Sequence, residues 1–153
     1  MKMWRYEDVE IVEYENELNT VLLGMDKKEH IEWWKKEALR NWETAVYLLK
    51  GKQNVFALFA FHLTIEKLLK AIWVKDNIEN TPPRQHDLTF IYNQTDLKLD
   101  SKWYDYLPTI NAWNIESRYP DYKLKIYERA NENYMKEHFE KISNLKECLL
   151  EKL

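Results

Sequence analysis

The residue types best suited to handling phosphate gather at Arg118-Tyr119-Pro120-Asp121-Tyr122. A guanidinium matches phosphate oxygens in a planar fork, and a tyrosine ring gives a nucleobase a face to stack on. Arg118, Tyr119, Asp121 and Tyr122 are therefore a candidate ligand grip. The same residues also suit a structural corner, with Arg118 bonding helix-end carbonyls or Glu116. His86 is the second candidate. It is either a proton-transfer or phosphate-contact residue facing Arg118, or a helix-start histidine bonded to backbone, beside an Asp87 that favours a helix N-terminus. His62, Glu66 and Lys70 are the third. Their four-residue spacing places them on one helix face, with Glu66 before Lys70 in the favourable order for an ion pair. A polar line on an otherwise apolar helix faces a dimer seam or lines a cleft.

Other chemistries find little support. One histidine and one carboxylate four residues apart are a common, non-specific pattern, and the chain has no His-Glu-x-x-His, so no metal is expected. With Gly24 and Gly51 as its two glycines it has no Gly-rich loop to cradle a phosphate, and no cofactor is expected. His30 and His138 each end a Lys-Glu-His triplet and read as solvated helix positions. Cys148, between Leu145 and Leu149, reads as inert core.

The elements that must position these residues are helical. The 153 residues include 2 Gly and 4 Pro, too few for the closely spaced turns of a sheet protein. The length suits a single domain. A 45% hydrophobic content with 7 Trp and 10 Tyr supplies a core and rings to spare for an interface. The formal charge of −3 gives no global attraction to nucleic acid or membrane. One cysteine fits a reducing compartment. The charged N-terminus has no apolar signal region, and Val55 to Leu63, the longest apolar stretch, is too short to span a bilayer. A cytoplasmic protein with no membrane partner is expected.

Residues 1–26 read as an N-terminal arm, with a short strand or hairpin at Val9, Ile11, Val12 and Val21 to Leu23, or as a disordered leader. Residues 27–153 read as an up-and-down antiparallel bundle of four to five helices. Asp26 caps a first helix whose stripe is Ile31, Trp34, Ala38, Trp42, Ala45 and Leu49, with Gly51 as its C′ stop. A second helix starts near Gln53 or Asn54, runs to about Lys75 and is apolar nearly all round, which suits the centre of a bundle. A short helix follows His86-Asp87, with Leu88 and Ile91 inward. Asp100-Ser101 opens another, kinked or restarted at Pro108 and ending near Ser117, because Tyr119 precedes a proline. The last begins around Asn131, with Met135, His138 or Phe139, Ile142, Leu145 and Leu149 as its stripe.

Three patterns in order carry a resemblance: the second helix ending in Glu66-Lys67-Leu68-Leu69-Lys70-Ala71, the His86-Asp87-Leu88 step, and Glu116-Ser117-Arg118-Tyr119-Pro120-Asp121. Over roughly residues 28–153 the chain resembles the prokaryotic members of the HEPN family. The resemblance implies a helical bundle, a homodimer, and for some members a small nucleotidyltransferase partner in a toxin–antitoxin-like or defence system. It also implies a nucleotide, RNA or protein as ligand. Other members are metal-independent ribonucleases that carry an Arg and a His with four to six residues between them. Here Arg118 is followed at those positions by Lys123, Leu124 and Lys125, and Arg129 lies too far before His138. Arg5, Arg40 and Arg84 have no suitably placed His either. The expected module is therefore a non-catalytic binder; the alternative is a divergent ribonuclease using Arg118 with His86 or Tyr122.

Overall fold

In the computed structural model the described residues are Asn16, 24–121 and 124–153. The arm proposed for 1–26 lies almost wholly outside them, as does Tyr122. The described residues form six helices: α1 Lys27–Lys50, α2 Asn54–Asp76, α3 Leu88–Asn93, α4 Ser101–Arg118, α5 Lys125–Arg129 and α6 Glu132–Leu150. No strand occurs among them, and none of these helices is long and apolar enough to cross a membrane.

Four helix starts are fixed by side-chain caps that satisfy first-turn N–H groups. Asp26 accepts from Glu29 N, Asp87 from Thr89 N and Phe90 N, Asp100 from Lys102 N, and Asn131 from Tyr134 N. The start of α2 differs: its N-cap, Gln53, makes no side-chain bond. The end of α1 corrects an expectation. Gly51 has φ −80°, an ordinary value. The left-handed residue is Lys52, at φ 58°. Lys52 N donates to Leu49 O and Gln53 N to Leu48 O, the paired bonds of a Schellman motif with lysine where glycine is usual. Holding a β-carbon there costs about 1 kcal/mol.

α2 is the hub, packing on each of the other five helices. Sixteen of its 23 residues are buried, against three of 24 in α1. Phe61, Leu58, Ile65, Leu68 and Leu69 are completely enclosed, and each such side chain contributes about 1.5–3 kcal/mol. Rings join the outer helices to it. Trp42 of α1 lies 5.3 Å from Phe61 and 5.7 Å from Phe139 of α6. Between α4 and α6, Trp113 Nε1 donates to the Tyr134 hydroxyl at 2.9 Å, and the Tyr106 hydroxyl bonds His138 Nδ1 at 2.6 Å.

That last bond corrects a second expectation. His138 is not solvated; it is buried among Tyr106, Trp113 and Tyr134, and burial lowers its pKa. The same burial raises the pKa of Tyr106, so the phenol keeps its proton and donates to the neutral ring. His30 is also buried. Cys148 is free and half-buried. α4 runs through Pro108 as one helix, its buried face of Leu107, Ile110 and Trp113 offsetting the missing N–H.

Candidate functional site

α2 carries Phe59, His62, Glu66 and Lys70 along one side, three to four residues apart. In a single chain His62, Glu66 and Lys70 are already buried, at 0%, 3% and 6% exposure. What covers them is the connection between α2 and α3. His62 Nε2 donates to the backbone carbonyl of His86 at 3.0 Å, and His86 Nδ1 donates to Glu66 Oε1 at 2.8 Å. The other carboxylate oxygen of Glu66 accepts from Lys70 Nζ at 3.5 Å, and Lys70 lies over the Trp34 ring of α1 at 5.4 Å. The second and third candidates of the sequence are thus one network, with Glu66 at its centre.

α4 holds the same connection from the other side. Asn111 Oδ1 accepts from Leu88 N at 2.9 Å, and its Nδ2 donates to Asp87 Oδ1 at 3.0 Å. Two turns further along α4 is Arg118. Its Nε donates to Asn114 O at 3.0 Å, and its guanidinium lies 5.4 Å from the Phe59 ring and 5.4 Å from the Tyr119 ring. Arg118 is exposed and in no ion pair among the described residues. The two neighbouring rings steady a cation that keeps its outer N–H groups for a ligand.

Arg118 and His86 therefore flank one strip of α2, Arg118 at Phe59 and His86 at Glu66. Seven residues of helix separate those two anchors, about 10 Å of rise. His86 keeps Nε2 outward on a 65% exposed side chain, while His62 is sealed. Burial holds the His62 imidazole neutral, its pKa lowered to about 4; the charges of His86 and Arg118 act in the same direction, against Glu66. Its Nε2 carries the proton donated to the His86 carbonyl, and its buried Nδ1 has no hydrogen-bond partner among the described residues.

The rest of the loop divides. Tyr119 is 71% exposed and borders an open hollow of about 530 Å³ shared with Pro120, Lys125, Ile126 and Arg129. Asp121 is engaged locally: its carboxylate accepts from Lys125 N at 3.0 Å and starts α5. Glu116, the alternative partner for Arg118, instead pairs with Arg129. No group of three or more His, Cys, Asp or Glu among the described residues is arranged to hold a metal. The sequence missed Phe59 and Asn111 as companions of the site. Phe59 was recoverable, since it sits one turn before His62 on the same face.

No curated protein and no solved structure matches the chain. The family model described as HEPN domain matches residues 31–153, a span that takes in α2, the Glu66–His86 network and the Arg118 corner. This chain belongs to the HEPN domain family.

Proposed function

We infer that this HEPN chain is a binding module that takes a phosphate-bearing ligand, a nucleotide or RNA, along the strip between Arg118 and His86, and that it works as a homodimer. The single observation that carries this is the exposed guanidinium of Arg118, in no ion pair among the described residues and set beside the rings of Phe59 and Tyr119. Arg118 grips phosphate, Tyr119 stacks a base, and the open Nε2 of His86 supplies a second polar contact. The two anchor positions on α2, Phe59 and Glu66, lie about 10 Å apart along the helix axis, a spacing that suits the ends of a nucleotide or successive phosphates. A small nucleotidyltransferase is the protein partner this type of module would take. Isothermal titration with a nucleoside triphosphate tests the corner. Arg118→Glu should weaken binding at least tenfold with the far-UV circular dichroism unchanged, and an unaltered affinity would remove the assignment.

A second reading has its own observation. A buried carboxylate bonded to His86 Nδ1 leaves Nε2 open, the arrangement that orients a catalytic imidazole, and it supports a divergent ribonuclease. Incubation with total RNA and transfer RNA, with and without a chelator, tests it. Cleavage lost in His86→Ala would favour the enzyme; intact RNA would count against it.

A further inference from the structure

Three adjoining hollows open at the end of the bundle where α1 turns into α2 and α5 into α6. The first, about 250 Å³, is bordered by Lys52, Asn54, Phe56 and Tyr127. The second, about 530 Å³, shares Lys52 and Asn54 with it and adds Lys50, Lys136 and Glu132. The third, about 380 Å³, shares Lys50 and adds Trp42, Glu43 and Tyr47. Shared walls make them one groove. Its rings are unusually bare: Tyr47 is 78% exposed, Phe56 50% and Tyr127 51%. Lys50, Lys52 and Lys136 are exposed and form no ion pair among the described residues. Three lysines against Glu43 and Glu132 invert locally the sign of a chain whose net charge is −3.

The groove also meets the Arg118 corner. Phe56 precedes Phe59 by one turn of α2, and Phe59 carries Arg118. From Glu66, which holds His86, to Asn54 at the start of α2 is a helical rise of about 18 Å, and towards its N-terminal end the rings of Phe59, Phe56 and Tyr127 lie between Arg118 and Lys52. Lys52 holds its place in a left-handed conformation where glycine would be unstrained, and such strain concentrates at functional positions. Cations spaced along a groove with bare rings between them fit a polyanion with stackable faces. An acidic protein would use the lysines and leave the rings unexplained.

We propose that this groove binds single-stranded nucleic acid, extending the Arg118 corner from a grip for one nucleotide into a track for several. The proposal rests on the corner reading for one end of the track; the lysine–aromatic end stands independently. Fluorescence anisotropy with 5′-labelled oligouridylate and oligothymidylate of 4, 8 and 12 nucleotides, alongside a labelled mononucleotide, tests it on the full chain. The 12-mer should bind at least tenfold tighter than the mononucleotide. Three lysine–phosphate contacts predict a loss of about 20-fold between 50 and 200 mM salt. Lys50→Glu/Lys52→Glu/Lys136→Glu should abolish the length dependence and leave mononucleotide binding intact, with Lys→Gln at the same positions as the milder control of folding. Phe56→Ala/Tyr127→Ala should weaken the 12-mer about tenfold or more. Equal affinity for mononucleotide and 12-mer overturns the groove and leaves the corner. So does 12-mer binding that the lysine and aromatic variants do not move. A groove-dependent 12-mer whose mononucleotide counterpart ignores Arg118→Glu removes the corner and keeps the groove. No binding of any probe overturns both.

Discussion

Two charged regions, one in the middle of α2 and one at the turn that leads into it, are built in opposite ways. In the first, Glu66 and Lys70 are buried, paired with each other and closed over by His86 and Trp34. Where α1 hands over to α2, Lys50 and Lys52 are exposed and in no ion pair among the described residues, beside bare rings. A buried charge is tolerated when its partners satisfy it, so the first region fixes the shape of the connection that presents His86. An exposed lysine adds little to stability, so the second region answers to what it meets in solution. Burial and pairing, more than residue type, separate the groups that hold this fold from those free to bind.

The sharpest way to break the comparison is to remove the centre of the buried network. Glu66→Ala leaves Lys70 without its partner and should cost about 3–5 kcal/mol, measured by urea unfolding. Glu66→Ala combined with Lys70→Met should cost less than Glu66→Ala alone. A loss below about 1 kcal/mol in the single variant would mean that the network is not structural.

Acid should separate the regions next. His62 has a folded-state pKa of about 4, below its unfolded value. The unfolded chain therefore takes up a proton from about pH 6.5 downwards, while the folded chain resists until about 4. Stability falls as pH drops through that window, by roughly 3 kcal/mol in total, and His138 acts in the same direction. In His62→Gln the slope between pH 6.5 and 4 should flatten, leaving the smaller contribution of His138. An unchanged slope would refute the sealed, neutral His62.

The smallest change in stability is expected at the groove, with the opposite sign. Lys52→Gly relieves the left-handed strain and should raise stability by about 1 kcal/mol or less, a Tm gain of roughly 2–4 °C at most. It should weaken oligonucleotide binding at the same time. A variant that is both no more stable and no weaker in binding would show that Lys52 matters to neither.

Much of this was legible from residue spacing. The apolar circumference of α2 identified the central helix, and Asp26, Asp87, Asp100 and Asn131 marked starts that side-chain caps hold. The four-residue step found the polar line of α2. Its partner His86 was named separately, because spacing along a helix says nothing about a loop that folds back onto it. His138 was misjudged from its charged neighbours, although Met135 and Ile142, three before it and four after, placed it on the inward face. α5 escaped notice because five residues are too few to show a period. Lys52 was overlooked because Gly51, the residue expected to turn the chain, stands directly before it.

The central claim is that Arg118 grips a phosphate-bearing ligand on a homodimer. Native mass spectrometry of the protein drawn gently from its own host, with Arg118→Glu prepared in parallel, tests it most directly. The expected result is a dimer carrying the mass of a nucleotide or RNA fragment in the natural chain and a bare dimer in the variant. A natural chain that arrives bare, or a variant with the same added mass, would contradict it.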